Sequence, residues 1–141
     1  MSNDTNCIFC KIGSGRIPAA RVWESEDAIA FLDVNPLADG HTLLIPKQHF
    51  TDLRDVPGEL LGRILGEAPA LAKAVMNAVG ATGINLLQNS GASAGQAVFH
   101  VHFHLIPRTA DDGLGFRWNA GSYPPQRAEE ILAAIKAQLG S

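Results

Sequence analysis

The longest stretch of apolar residues at helical spacing lies between Asp55 and Gly83. An apolar side chain recurs there every three or four positions, as in a helix that buries one face. The members of this face are Leu61, Ile64, Leu65, Ala68, Leu71, Ala72, Val75, Met76 and Val79. We expect Asp55 to cap the helix, with Pro57 in its first turn. Pro69 should kink the helix or split it in two, and Gly80 and Gly83 should end it.

Shorter apolar segments predict strands joined by turns. The predicted strands cover residues 21–24, 28–33, 42–46, 84–88 and 97–106, and Pro107 should end the last of them. Residues 7–12 are expected to form a short apolar turn, residues 36–40 and 89–95 to form loops, and residues 111–123 to be irregular. Pro124 and Pro125 should open a final helix. Its apolar face would consist of Ala128, Ile131, Leu132, Ile135 and Leu139.

These elements predict a single α+β domain over residues 1–141, with antiparallel strands, one long central helix and short flanking helices. The 141 residues are 46% apolar, which suits one domain with an ordinary core. The net charge of −3 argues against a main role in binding nucleic acid or an anionic membrane. We expect no signal peptide and no transmembrane helix, and therefore a reducing, cytoplasmic location.

Histidines are concentrated near the end of the last predicted strand. Three of the five histidines, His100, His102 and His104, occupy alternate positions there. Because side chains alternate between the faces of a strand, these three imidazoles should share one face, and the apolar residues between them should face a core. Two chemistries use several imidazoles in this way. One is metal ligation in a zinc enzyme with an open coordination site, and the other is nucleophilic catalysis by a neutral imidazole.

The segment before the three histidines consists of small and polar residues, from Asn89 to Gly95, followed by Gln96. Small residues allow backbone amides to approach an anion closely, and Gln96 adds a side-chain amide. A cradle of phosphate size beside a row of imidazoles favours phosphoryl or nucleotidyl transfer.

The His-x-His-x-His run at 100–104, followed by apolar residues, resembles the signature of the histidine triad (HIT) superfamily of nucleotide hydrolases and transferases. Other segments are similar to the same family: CIFCKI at 7–12, IP at 17–18, AFLD at 30–33, GHTLLIPK at 40–47, GIN at 83–85, NSG at 89–91 and AGQ at 94–96. The similarity covers about residues 7–108, and residues 109–141 form a tail that departs from the pattern. It is greatest to the Hint-type branch, in its bacterial form with an N-terminal CxxC, and implies a HIT-like fold with a sheet of about five strands.

The resemblance implies that His102 is the nucleophile. It would attack the α-phosphate of a purine nucleotide, form a covalent nucleotidyl-histidine, and release a nucleoside monophosphate such as AMP after hydrolysis. A neutral ring can attack only if its other nitrogen is held by a partner, which in this family is expected to be a backbone carbonyl. No catalytic metal or organic cofactor is implied.

The same resemblance implies roles for the surrounding polar residues. His104 would donate to the α-phosphate, and Asn89 and Gln96 would contact the phosphate or the leaving group. His41 would lie near the nucleophile and the phosphate, and Asp33 would bind the ribose hydroxyls. The apolar residues Phe9, Ile12, Phe31 and Ile45 are candidates for the wall of a base pocket, although each is equally an ordinary core residue. Family members pair as homodimers, which implies two sites.

Cys7 and Cys10 form a second candidate cluster. A CxxC pair alone is compatible with a zinc site, a redox site or two buried thiols, and the βαβ context of a redox motif is missing. In the bacterial members that this sequence resembles, the equivalents of Cys7, Cys10, His49 and His100 form a Cys₂His₂ site. Four protein ligands would make a closed, structural zinc site, with His100 orienting the triad segment through the metal. The alternative is two buried thiols with His49 exposed.

One position departs from the family pattern. Ala97 stands where the Hint branch commonly has a serine whose hydroxyl assists protonation of an amine leaving group. The activity expected is therefore that of a nucleoside phosphoramidase or of a dinucleoside polyphosphate hydrolase, and Ala97 disfavours the former. Two other function classes remain: a non-catalytic nucleotide-binding adaptor, and a zinc hydrolase with the triad as ligands. Trp118 is a candidate pocket, interface or core residue.

Overall fold

One antiparallel sheet organises the computed structural model, which describes residues 6–115 and 119–140. Its strands are β1 (Arg21–Glu24), β2 (Ala28–Leu32), β3 (Thr42–Pro46), β4 (Gly83–Leu87) and β5 (Phe103–Arg108). Their order across the sheet is β1-β2-β3-β5-β4, and each neighbouring pair is antiparallel. The α+β prediction and the five-stranded sheet are thus confirmed, with β1 and β4 at the two edges.

The central helix is split as Pro69 predicts. Helix α2 (Gly58–Leu65) ends at Gly66, and α3 (Ala68–Val79) begins with Pro69 in its first turn, where a missing N–H costs nothing. The predicted start is wrong. Pro57, not Asp55, lies at the N-cap of α2, and the Asp55 carboxylate instead accepts a bond from the Asp52 amide in a 3₁₀ turn.

The first and the last helix also differ from the prediction. Residues 8–13 form a helix, α1 (Ile8–Gly13), where only a turn was expected. Helix α4 (Arg127–Gly140) is present, but Leu132, Ile135 and Leu139 of its apolar face are more than half exposed. None of the helices in the described ranges is long and apolar enough to cross a membrane. Trp118 lies outside the described residues.

The last strand begins later than predicted. Residues 97–102 are not in a strand, and the Val101 amide donates to the Phe50 carbonyl at 2.7 Å. Strand β5 then continues through Pro107, which pairs with Ile84, so Pro107 does not end it. The predicted alternation nevertheless holds, because Val101, Phe103 and Leu105 are all buried in one core cluster.

The sheet separates two apolar layers because neighbouring strand residues face opposite sides. On one side, Ala28 and Ala30 pack with Ile64 and Leu71 of the split helix. On the other side, six residues form a second cluster around α1: Phe9, Ile12, Ile29, Phe31, Leu43 and Ile45. Helix α1 therefore lies over the face opposite the central helix, and it brings its cysteines and Phe9 to the histidines.

Candidate active site

His102 is held in a single tautomer by the backbone. Its ring is buried, and Nδ1 lies 2.7 Å from the carbonyl oxygen of His100. A carbonyl can only accept, so Nδ1 must carry a hydrogen atom, and in the neutral ring Nε2 keeps the lone pair. The expected backbone-carbonyl partner is therefore confirmed, and the arrangement suits a nitrogen nucleophile.

His104 and His41 form a chain of hydrogen bonds that begins at the backbone. The amide of Leu37 donates to His41 Nδ1 at 3.0 Å, and His41 Nε2 lies 2.9 Å from His104 Nδ1. Because Nδ1 of a neutral His41 accepts, its Nε2 carries the hydrogen atom and donates to His104. Nδ1 of His104 then accepts, which leaves a hydrogen atom on His104 Nε2. The ring of His104 lies beside that of His102, with centroids 5.0 Å apart.

Burial keeps these rings neutral. It lowers the pKa of His104 to about 4, with His102 and His41 lowering it further and Asp33 opposing the shift. Burial also lowers the pKa of His41, again opposed by Asp33. Neutral rings are what the chain of single hydrogen bonds requires, since a protonated imidazole cannot accept.

Asp33 lies behind this chain. Its Oδ1 accepts the Asn35 amide at 2.9 Å, and its Oδ2 is 3.7 Å from His41 Nε2. Asp33, His41 and His104 are close enough to surround a cation. The Leu37 amide disfavours that use, because a metal on His41 Nε2 would require a hydrogen atom on Nδ1, opposite another N–H.

The loop before the triad is tied together by Gln96. The buried side chain of Gln96 accepts the Gly91 amide at 2.7 Å and donates to the carbonyls of Thr51 and Val98 at 2.6 and 3.1 Å. Its donors and its acceptor are therefore engaged with backbone, so Gln96 shapes the loop.

Asn89 is the loop's other candidate contact for phosphate. Its backbone oxygen accepts a bond from Gln88. Its side-chain amide packs over Gly95, where an added Cβ would lie 3.4 Å from Asn89 Nδ2. Ser90 Oγ links the loop to the 3₁₀ turn by accepting the Leu53 amide at 3.0 Å.

The four candidate base-pocket residues lie together in the second core cluster. Phe9, Ile12, Phe31 and Ile45 are each less than a tenth exposed. Phe9 meets the ring of His102 edge-on, with centroids 5.1 Å apart. They form one apolar wall beside His102, and their contact with a base stays a prediction.

Cys7, Cys10, His49 and His100 converge at the other end of the triad segment, and their ligand atoms all lie within 4.8 Å of one another. Cys7 Sγ is 3.3 Å from His100 Nδ1, and Cys10 Sγ is 3.4 and 3.5 Å from Nδ1 of His49 and of His100. The cysteines are free thiols, so no disulfide competes for them.

This geometry fits zinc. Bonds of about 2.3 Å to sulfur and 2.0 Å to nitrogen at tetrahedral angles place S and N roughly 3.5 Å apart. His100 Nε2 donates to the Pro46 carbonyl at 2.8 Å, which leaves the lone pair on Nδ1, the atom that faces the thiols. Burial lowers the pKa of His100 to about 4, so the ring is neutral, as a ligand must be.

Sequence reasoning missed the backbone groups that orient the site. The Leu37 amide, the Pro46 carbonyl and the Thr51 carbonyl each hold a functional side chain. Every residue offers such a group whatever its side chain, so no sequence signal marks them.

The fold and the alternating histidines define a protein of the histidine triad class. The model of the HIT domain matches residues 14–111, and the chain belongs to the HIT family. It is 42% identical over 139 residues to the protein hit of Bacillus subtilis, covering 96% of both chains. It is 40% identical to the adenylylsulfatase HINT3 of Arabidopsis thaliana, covering 100% of this chain and 72% of that one. The adenosine 5′-monophosphoramidase hnt1 of Schizosaccharomyces pombe is also 40% identical, with 93% and 99% covered.

Solved structures show the same fold. The crystal structure of SMU.412c from Streptococcus mutans superposes with a TM-score of 0.93 at 35% identity, covering 99% of this chain and 89% of that one. A zinc-bound histidine triad family protein from Mycobacterium smegmatis has a TM-score of 0.74 at 40% identity, with 96% of each chain covered. This zinc-bound neighbour and the cysteine–histidine cluster of the chain are both consistent with the form of the family that has an N-terminal CxxC.

Proposed function

We propose that this protein hydrolyses nucleotides at the α-phosphate through a covalent nucleotidyl–His102 intermediate, releasing a nucleoside monophosphate such as AMP. The observation that carries the proposal is the bond from His102 Nδ1 to the His100 carbonyl, which reserves the Nε2 lone pair for attack. At the level of enzyme class the prediction of a hydrolase is confirmed, because relatives of 38–40% identity that match over 93% or more of this chain are named adenylylsulfatase and adenosine 5′-monophosphoramidase.

The reaction would take two displacements at phosphorus. In the first, the His102 Nε2 lone pair forms an N–P bond, and the leaving group departs with the electron pair of its bond to phosphorus, as an anion that takes a proton from solvent where its pKa requires one. In the second, water attacks phosphorus and loses a proton. The N–P bond breaks with its electrons returning to Nε2, which regenerates the neutral ring and frees the monophosphate.

Neighbouring groups would stabilise the charge that develops on the phosphate. His104 Nε2 carries a hydrogen atom because of the chain from Leu37, so it can donate to a phosphate oxygen. The Asn89 amide would add a second donor, and Asp33 would accept from the ribose hydroxyls. His41 and Gln96 would act behind these groups, since their polar atoms are engaged with other parts of the protein.

The leaving group would be one that departs without a strong proton donor. Ala97, next to Gln96, carries no hydroxyl that could protonate an amine. An anhydride leaving group is already acidic and needs less assistance. We therefore expect dinucleoside polyphosphates or adenylylated acids to have a higher kcat/KM than adenosine phosphoramidates.

Intact-mass spectrometry after rapid mixing with these three substrate types tests the proposal. Wild type and the exposed-helix control Lys73→Ala should show the mass of one added nucleotidyl group, whereas His102→Ala should show none and still bind AMP. If wild type binds AMP but forms no adduct and no product with any substrate, the protein is a nucleotide-binding adaptor. If chelation abolishes activity at unchanged folding and Cys7→Ser keeps the same metal content as wild type, the triad is a metal site.

We also propose that Cys7, Cys10, His49 and His100 hold a structural zinc ion. Their spacing and the tautomer of His100 support this assignment. When bound, zinc would crosslink α1 to the segments around residues 49 and 100. Metal analysis should find one zinc per chain in wild type and a loss of zinc with lowered thermal stability in Cys7→Ser. Equal metal content in both would remove the assignment.

We also propose that the protein is a homodimer and that it is located in the cytoplasm. Strand β4 is an edge of the sheet, and its Leu86 and Leu87 are exposed. An uncovered apolar edge strand favours pairing with another chain. Light scattering on the purified protein gives the oligomeric state, and cell fractionation gives the location. A monomer at micromolar concentration would contradict the dimer.

A further inference from the structure

His100 contacts both the cysteine–histidine cluster and His102 of the triad. Its ring nitrogen Nδ1 lies 3.3 and 3.5 Å from the sulfur atoms of Cys7 and Cys10, while its backbone carbonyl accepts the Nδ1–H of His102 at 2.7 Å. The side chain and the carbonyl of one residue are separated by few bonds. Whatever fixes the ring of His100 therefore also limits where its carbonyl lies.

The backbone at His100 has few other restraints. Residues 97–102 lie outside the sheet, since β5 begins at Phe103. The segment is held by the bond from the Val101 amide to Phe50, by the bond from Gln96 to the Val98 carbonyl and by the bond from His100 Nε2 to the Pro46 carbonyl at 2.8 Å. Without a strand ladder, side-chain anchors decide how precisely the carbonyl is positioned.

Phe9 makes a second connection between the clusters. It lies between Cys7 and Cys10 on α1, and its ring meets those of His100 and His102 edge-on at centroid distances of 5.8 and 5.1 Å. A shift of α1 therefore moves the ring that packs against the nucleophile.

We propose that His100 and Phe9 are positioning residues through which the cysteine–histidine cluster sets the orientation of His102. Loading of the cluster holds the His100 carbonyl and α1 in place, and this keeps the hydrogen atom on His102 Nδ1. Loss of the cluster slows nucleotidyl transfer more than it weakens nucleotide binding. The inference rests on the proposed roles of His102 and of zinc.

Two substitutions at one position test it. His100→Cys keeps the backbone carbonyl and offers zinc a thiolate, since Cys₃His sites are common, whereas His100→Ala keeps the carbonyl but removes the ligand. Both variants lose the bond to the Pro46 carbonyl, so any difference between them is due to bound zinc. Three quantities are measured in each: zinc per chain, exchange of the His102 Nδ1–H in ¹H–¹⁵N NMR spectra, and the single-turnover rate of adduct formation.

We expect His100→Cys to bind one zinc and to retain a protected His102 Nδ1–H. His100→Ala should lose zinc, expose that hydrogen atom to fast exchange, and form adduct at least about tenfold more slowly, with AMP affinity changed less than about threefold. Val75→Ala, a core change in α3, is the control for general destabilisation. At equal lowering of thermal stability it should leave the NMR signal and the rate near the wild-type values.

The inference is overturned if His100→Ala and His100→Cys differ in zinc content but share the same Nδ1–H exchange and adduct rate. It is also overturned if Val75→Ala reproduces the loss. Should His100→Ala fail to fold, removal of zinc from His100→Cys and its replacement supply the same comparison. If wild type forms no adduct, the proposed function fails, and Nδ1–H exchange still decides the positioning role.

Discussion

At the scale of single residues, one backbone amide determines where hydrogen atoms lie across two buried rings. The Leu37 N–H occupies Nδ1 of His41, which makes Nε2 the donor to His104. His104 must then carry an N–H, not a lone pair, at Nε2. The hydrogen-bond donor at His104 Nε2 thus depends on the backbone of Leu37, a loop residue whose own side chain is exposed.

Removal of this amide should impair the reaction. Leu37→Pro deletes the N–H, which allows His41 to adopt the other tautomer and removes the donor at His104 Nε2. We expect kcat to fall by about 10- to 100-fold, with a smaller change in KM. Leu37→Ala retains the amide and should stay within about twofold of wild type in the same kinetic assay. Equal activity of the two variants at equal folded content would contradict the role of the amide.

Acid stability should report the buried neutral ring of His104. Its pKa is about 4 in the folded protein and 6.5 in the unfolded chain, so between these values the unfolded state binds more protons. The free energy of unfolding therefore falls as pH drops from 6.5 to 4. The contribution is below about 3 kcal/mol, because the ring is partly exposed.

Urea denaturation of wild type and His104→Gln at several pH values measures this contribution. The variant lacks the titrating ring, so its unfolding free energy should depend less steeply on pH over that window. Parallel curves for the two proteins would mean that His104 is not held neutral by the fold.

At the scale of elements, sequence patterns predicted faces better than boundaries. The sequence indicated a strand over 97–106, and the observed strand is Phe103–Arg108. Burial of alternate residues survived, because the core requires it whether or not the backbone pairs. The strand start depends on the bond from Val101 to the Phe50 carbonyl, which involves backbone atoms alone and leaves no trace in residue types.

Gly40 packs closely against α3 and β5. Its φ is +85°, and a Cβ there would lie 3.0 Å from a Val79 methyl and 3.3 Å from Pro107. Gly40→Ala should therefore add both strain and a clash, lowering the unfolding free energy by about 2–4 kcal/mol. Gly80 also has a positive φ, +69°, but a Cβ added there would meet no atom within 4 Å. A substitution at Gly80 therefore measures the backbone strain without the clash.

Gly80→Ala should cost only about 1 kcal/mol. Urea unfolding of the two variants measures the difference, and equal losses would show that the contact between Gly40 and α3 yields without cost. Gly40→Ala should also lower activity, because Gly40 precedes His41, whereas Gly80→Ala should not.

At the scale of the whole molecule, the sequence predicted which histidines would group together, but not the hydrogen bonds that hold each group. The family pattern assigned His49 and His100 to the cysteines and left His41, His102 and His104 for chemistry, and the structure brings together both sets. It places His41 behind His104 and commits Gln96 to the backbone. Those outcomes depend on hydrogen-bond partners far away in sequence, such as the 45 positions between Gln96 and Thr51.

The two edges of the sheet allow a direct test of the proposed dimer. Leu86 on β4 and Val22 on β1 are both apolar and exposed, at 54% and 41%. If two chains pair along β4, a charge at Leu86 would be buried against the partner, whereas one at Val22 would remain in water. Leu86→Lys should therefore shift the molar mass from twice the chain mass of 15.0 kDa to the chain mass, and Val22→Lys should not.

Light scattering during size-exclusion chromatography measures these masses, with circular dichroism confirming that each variant is folded. Dissociation by Val22→Lys alone would place the interface at β1. If the dimer persists in both variants, neither edge strand carries the interface, and the exposed Leu132, Ile135 and Leu139 of α4 are the next apolar surface to substitute. Because Phe9 of α1 packs against His102, the triad faces the α1 side of the sheet, and a β4 interface would extend the sheet without covering that side.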